Sequence, residues 1–285
     1  MVDDGRPIRP DERSGVLTPT NLERFAANWF DPADAARKAV DTYWSVSWHL
    51  PAGQTISQKV LEFPAITVSI ESGSVAFPYV VTAVQRRAWT RTIEGSGEVF
   101  AIRLRPAGLA VVSDLDPRKL PPEQPITAAL DPGLFELVEA IAREGSPAAR
   151  ARRADAVIEG LLSRRPPSPE HVLANTVVDA LDQRVRARTG PLLAAQIGVS
   201  ERAMQRALSL TLGMGPKAVA RRIRLQEVVR RFSSSDACAE VDAAAVANDL
   251  GYADQSHLIN DFRSVTGMSP GAYLRALRAL SQTPG

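Results

Sequence analysis

The sequence predicts an α+β protein: a small β-barrel or half-barrel with attached helices, then an all-α half of two helix-turn-helix units joined by a linker helix. Three observations carry this reading. Between residues 40 and 104, short runs of aromatic, β-branched and small polar residues alternate and are separated by Gly/Ser turns. Residues 164–169, RRPPSP, form a stiff proline-rich boundary. Beyond that boundary one helix-turn-helix plan is written twice, over residues 189–216 and 240–271.

Residues 1–20 are polar and aperiodic, with two prolines before Leu17, and are expected to form a mobile tail. From Val40 to Leu50 the alternation places Trp44, Val46, Trp48 and Leu50 on one face and Tyr43, Ser45, Ser47 and His49 on the other, which is the period of a strand. Further strands are expected at Ala65–Ile70, Ala76–Val81, Val84–Thr92 and Val99–Leu104. Turns are marked by Gly53, Gly73 and the pair Gly95 and Gly97, the last suiting a hairpin. Short strands at this spacing favour a sheet curled into a barrel or half-barrel. Prolines 117, 121, 122, 125 and 132 break residues 114–132 into loop. Two amphipathic helices follow, Pro132–Glu144 with a stripe of Leu134, Leu137, Val138 and Ile141, and Ala148–Ser163 with Ala154, Val157, Ile158, Leu161 and Leu162. After the proline-rich linker, Val172–Arg188 forms a helix with Val177, Val178, Leu181 and Val185 inward.

In the second copy of the repeated plan, Ala244, Ala245, Val246 and Leu250 give the first helix its apolar stripe, Gly251 takes the left-handed position in the turn, and Tyr252 plugs it. Asp254 caps the second helix, whose Leu258, Phe262 and Val265 face inward while Gln255, Ser256, His257, Asn260, Asp261 and Arg263 face out. In the first copy Gly198 holds the turn, Val199 is the plug and Ser200 the cap; Ala203, Met204, Ala207 and Leu208 are inward, and Arg202, Gln205 and Arg206 outward. Amides, guanidinium groups, a hydroxyl and an imidazole on the outer face of such a helix are the side chains that reach base edges and phosphates.

The turn and helix in GVSERAMQRALSLTLGMGP, the connecting helix KAVARRIRLQEVVRRF and the string DLGYADQSHLINDFRSVTGMSPGAYLRAL together resemble the paired helix-turn-helix module of the AraC/XylS transcription regulators, over residues 172–280. The front half resembles the cupin-like sensor domains that precede such modules, through Trp44-x-Val46-x-Trp48 and the motif G-x-x-F-x-I-R-x-x-P-x-G from Gly97 to Gly108. The resemblance implies a flexible tail at 1–20, a sensor and dimerisation domain at 21–163, a linker at 164–170, a DNA-binding domain at 171–280 and a short tail at 281–285. It further implies that Ser200, Arg202, Gln205, Arg206, Asp254, Gln255, Ser256, His257, Asn260 and Arg263 meet double-stranded DNA. A homodimer and RNA polymerase as a partner are the corresponding expectations; the two helices after the sheet either supply part of the dimer contact or pack only within their own domain.

Whole-chain properties bound these readings. At 285 residues, 45% hydrophobic and 23% charged, the chain can build two cores. It has no run of eighteen apolar residues and no apolar core of a signal peptide in its first residues, so a cytoplasmic protein is expected. Cys238 is the single cysteine and His49, His171 and His257 are far apart, which argues against a disulfide, a thiolate cluster or a histidine metal site; no metal and no cofactor is expected. With 34 basic against 32 acidic residues, DNA binding must rest on where the arginines stand: 202, 206, 221, 222, 224, 230, 231 and 263 lie in the second half. In the front half, Trp44, Trp48, Phe63, Tyr79 and Trp89 could line a pocket with His49, Gln85, Arg87 or Arg103 as polar orienters, or form a plain aromatic core. No paired carboxylates, nucleophile elbow or phosphate loop is present, so no enzyme is expected. Three functions follow: a regulator answering to a small-molecule effector, a regulator controlled by a protein partner or its own concentration, and a cupin-type enzyme fused to a DNA-binding module. A hollow sheet with inward polar groups favours the first, a filled one the second.

Overall fold

A computed structural model describes residues 6–7, 15–183, 191–234 and 242–281. The remaining parts of the N-terminal tail, Val185 with the end of its helix, Cys238 and the last four residues lie outside the described residues.

The front half is a seven-stranded antiparallel sheet, order β1-β2-β3-β8-β5-β6-β9, with a two-stranded sheet β4-β7 laid across it. The strands are β1 (Arg6–Pro7), β2 (Phe25–Phe30), β3 (Val40–His49), β4 (Thr55–Val60), β5 (Thr67–Gly73), β6 (Tyr79–Thr82), β7 (Trp89–Glu94), β8 (Ser96–Leu104) and β9 (Glu123–Pro125). The period of two sorts the side chains. Val68, Ile70, Phe100, Ile102 and Leu104 join a core with α1 (Gly108–Val112), α2 (Pro132–Ala142) and α3 (Pro147–Arg164). Trp48, Val99 and Ala101 take the opposite face and pack with Ile93 of β7. Two sheets facing each other with helices on one side form the expected curled sheet.

Several local expectations are corrected. Strand β7 begins at Trp89, and Val84–Ala88 is loop. Strand β6 begins at Tyr79 rather than Ala76. Gly95 does not close a hairpin: β7 pairs with β4, and β8 pairs with β3 and β5, so Gly95, at φ 56°, turns a corner between two sheets. The apolar stripes of α2 and α3 are spent inside the chain, with Leu134, Val138, Ile141, Ala154 and Ile158 fully buried against the sheet, so a dimer contact would use other residues.

The second half is helical: α4 (Pro169–Gln183), α5 (Pro191–Ile197), α6 (Glu201–Leu212), α7 (Pro216–Ser234), α8 (Ala243–Asp249), α9 (Gln255–Thr266) and α10 (Pro270–Ser281). The repeated plan produces the repeated geometry. Gly198 and Gly251 turn the chain between helices at φ 76° and 73°, where a Cβ would be strained. Ser200 and Asp254 cap α6 and α9 by accepting from Ala203 N–H at 3.2 Å and His257 N–H at 2.7 Å.

Each helix-turn-helix unit has its own core, and each core takes in residues from the front half. Around α4, α5, α6 and the start of α7, buried Val177, Leu181, Met204, Leu208 and Val219 are packed against by Phe63 and Val84. Around the end of α7, α8, α9 and α10, buried Val228, Leu250, Leu258, Phe262 and Tyr273 share their cluster with Leu17 and Leu61. Leu17 is 1% exposed, and Val16 accepts a hydrogen bond from the Tyr273 hydroxyl at 3.0 Å. The end of the expected mobile tail is therefore fixed, because a leucine at that position completes a core written 200 residues downstream.

Candidate nucleic-acid interface and sensor cavity

The outward faces of α6 and α9 carry the sequence-predicted DNA residues. Ser200, Arg202, Gln205, Arg206, Asp254, Gln255, Ser256, His257, Asn260 and Arg263 are all exposed, while Met204, Leu208, Leu258 and Phe262 of the same helices are buried. Their states differ. Asp254 is committed to its cap, so His257 N–H is already satisfied and the carboxylate stands where a phosphate would approach. His257 is fixed at the turn, its ring edge-on to Tyr252 at 5.3 Å and its Nδ1 accepting from Ala253 N–H. Arg206 makes an exposed ion pair with Glu170 at 3.2 Å, a contact weak enough for a phosphate or base to replace.

The arginines of the second half divide into two groups. Arg221 is bound to Asp261 at 2.5 Å and to Ser264, tying α7 to α9, and Asp261 also accepts from the Tyr252 hydroxyl. Arg230 and Arg231 pair with Glu227, and Arg231 also with Asp249. Arg224 lies over the Tyr252 ring at 5.3 Å. Arg222 is 4% exposed and donates to the Arg87 carbonyl. Arg221, Arg224 and Arg231 tie α7 to the second unit, Arg230 pairs within α7, and Arg222 reaches the front half, so these five are engaged inside the chain. Arg202 and Arg263 are exposed with no ion pair among the described residues.

Between the two sheets of the front half lies a cavity of about 270 Å³. Side chains at alternate positions build its wall: Phe25, Ala27 and Trp29 of β2 stand opposite Trp48, Val46 and Trp44 of β3. Trp29 and Trp44 stack with centroids 6.2 Å apart. Thr67, Ser69 and Glu71 of β5 and Trp89, Arg91 and Ile93 of β7 continue it, so that every tryptophan of the chain lines this space. Of the expected pocket residues, Trp44, Trp48, Phe63, Trp89 and Arg103 line the cavity. His49, Gln85, Arg87 and Tyr79 do not. His49 faces away, bonded to Ser96; Gln85 donates to the Pro122 carbonyl; Arg87 lies in the loop that touches α7; and Tyr79 packs edge-on to Phe135.

Sequence reading missed the carboxylates of this cavity. Glu71 is bonded to Arg91 at 2.8 Å, and Arg103 to Asp41 at 2.5 Å with its guanidinium 5.4 Å from the Phe63 ring centroid. Glu123 accepts from Trp89 Nε1 at 2.6 Å. Burial pushes the Glu62 carboxyl up to about 7, against the pull of Arg222 and with a contribution from Glu123. The Arg222 guanidinium is pulled down to about 10 by burial, and its Nε and Nη1 have no hydrogen-bond partner among the described residues.

One end of the cavity is closed by the helical second half. Gln226 of α7 lines it and donates to the Leu61 carbonyl at 2.5 Å. Nearby, Ala88 N–H donates to Val265 at 2.8 Å and Lys59 Nζ to Thr266 at 3.0 Å, at the end of α9. The segment Leu61-Glu62-Phe63 is the junction. Leu61 enters the core of the second unit, Phe63 packs on that of the first, and Glu62 between them faces the cavity.

Among the described residues no group of three or more His, Cys, Asp or Glu is placed to hold a metal ion, and no helix is long and apolar enough to cross a membrane. A helix-turn-helix domain family matches residues 193–276, and a family described as a domain of unknown function, DUF6597, matches residues 28–123. No curated protein matches the chain at a significant level. Among solved structures, ToxT from Vibrio cholerae is similar at 9% identity and TM-score 0.44, over 83% of this chain and 99% of that one. ToxT from Vibrio cholerae O395 is similar at 11% and 0.42, over 90% and 98%. Unsaturated-fatty-acid-bound ToxT is similar at 11% and 0.39, over 90% and 93%.

Proposed function

Because the C-terminal part of this chain is an AraC-type helix-turn-helix domain and the chain a DNA-binding transcriptional regulator of that type, we propose that a small molecule held between its two sheets controls how the two units meet DNA. Helices α6 and α9 are the recognition helices, with Arg202, Gln205 and Arg206 on one and Gln255, Ser256, His257, Asn260 and Arg263 on the other reaching bases and phosphates. Ser200 and Asp254 set the start of each helix rather than touching bases. Helix α7, at 19 residues, is about 28 Å long and fixes the spacing of the two. Successive major grooves on one face of the duplex lie roughly 34 Å apart, so the units enter neighbouring grooves with a modest bend of the DNA or a small shift about α7.

The observation that carries the effector reading is the cavity itself: an unfilled space with inward carboxylates and guanidinium groups, closed at one end by α7. A filled aromatic core would have favoured control by a partner or by concentration. An occupant that moves Leu61-Glu62-Phe63 alters both helix-turn-helix cores at once, which is the differential contact that a population shift requires.

The test is a cavity-filling substitution. Val46→Phe, opposite Ala27 and remote from every DNA residue, should mimic occupancy and change the affinity of the full chain for its operator, measured by anisotropy. An unchanged affinity in a folded variant would sink the effector reading and favour the partner-controlled regulator.

A further inference from the structure

Resting on the reading of the cavity as an effector site, we propose that its ligand is an organic cation: an ammonium or amidinium group on an apolar or aromatic body, with Glu62 as its counter-ion. Four tryptophans line the space, and the faces of indole rings attract cations more strongly than those of other side chains. Apolar wall accounts for the body of such a ligand, while the charges of the wall decide its sign.

Five charged side chains line the cavity: Glu62, Glu71, Arg91, Arg103 and Glu123. Both cations are spent, Arg91 on Glu71 at 2.8 Å and Arg103 on Asp41 at 2.5 Å. An incoming anion would have to break one of these pairs. Two acids remain. Glu123 accepts only from the neutral indole N–H of Trp89, and Glu62 makes no hydrogen bond or ion pair with any described residue. Arg222 acts on Glu62 from α7 without bonding to it, its guanidinium being directed to the Arg87 carbonyl. Burial is the main cause that raises the proton affinity of Glu62; Arg222 offsets part of it and Glu123 adds to it, so the α7 end of the cavity presents an acid with no bonded cation. A cation seated there ionises Glu62, and does so beside the junction that feeds both helix-turn-helix cores.

The experiment is a tryptophan-fluorescence titration of the full chain at pH 7.5 with benzyltrimethylammonium, the neutral 3-phenylpropanol and the anion 3-phenylpropionate, in the wild type and in Glu62→Gln. Since every tryptophan lines the cavity, the signal reports it directly. The expected result is saturable binding of benzyltrimethylammonium at least tenfold tighter than either other probe, with the preference lost in Glu62→Gln. Tighter binding of 3-phenylpropionate or 3-phenylpropanol would overturn the cationic class and leave the effector site standing. A cation preference untouched by Glu62→Gln would overturn the role of this residue. No saturable change with any probe would overturn both the inference and the effector reading.

Discussion

Replacing Glu62 by Gln should stabilise the free protein, and by an amount that depends on pH in a defined direction. The carboxyl is held at about 7 against an ordinary value of 4.5, because burial disfavours its charged form. At about 1.4 kcal/mol per tenfold change in proton affinity, the ionised carboxylate costs the folded state up to about 3 kcal/mol. Below pH 4.5 the group is protonated in both folded and unfolded chains and the cost vanishes. Between 4.5 and 7 the folded chain retains a proton that the unfolded chain releases, so stability falls as pH rises. Above 7 the full cost is present. Glutamine keeps the shape and carries no charge. Urea unfolding of the two proteins should therefore differ by less than about 1 kcal/mol at pH 5 and by up to about 3 kcal/mol at pH 8, with Glu62→Gln the more stable. A difference that does not change with pH would show that Glu62 is not the strained acid described, and the charge argument for the cavity would go with it.

Two further substitutions probe the other half and the junction. Arg206→Ala should weaken binding to a selected duplex by about 1 to 3 kcal/mol if the residue reads a base, and titration against random duplex checks this, since an equal loss on both assigns Arg206 to the backbone. Leu17→Ala removes a side chain 1% exposed within the core of the second helix-turn-helix unit. A loss of about 2 to 5 kcal/mol in urea unfolding is expected, where deletion of an ordinary tail residue would cost almost nothing.

The helix-turn-helix half was readable because its signals are local. Turn glycines, Ser200 and Asp254 as caps, and apolar spacing within twelve residues specify α6 and α9 without reference to the rest of the chain. The alternation in β3 likewise placed Trp44 and Trp48 on one face, and by the same rule put His49 on the other, where it is found. What escaped was set by distance. Strand β4, TISQKV, looks polar because it is a short lid strand whose Gln58 and Val60 meet a cavity. Strand β2 has no local alternation strong enough to mark Phe25, Ala27 and Trp29 as one face, and becomes legible only beside β3. Leu17, Leu61 and Phe63 carry no sign of belonging to cores completed by α6, α7 and α9. Glu62, flanked by apolar residues, reads as a solvated loop acid until the cavity is seen. The arginines misled for the same reason: nothing local distinguishes Arg222, buried under the front half, from Arg202, which faces solvent.

Two helix-turn-helix units on one connecting helix should recognise DNA specifically and in two parts. Selection of bound sequences from random duplexes by the full chain, followed by titration of the enriched site at several salt concentrations, tests it most directly. Two short motifs about one helical turn apart, bound far more tightly than random duplex at every salt concentration, are the predicted result. Uniform binding of all sequences, lost steeply with salt, would contradict it, because the exposed polar faces of α6 and α9 would then be reading nothing.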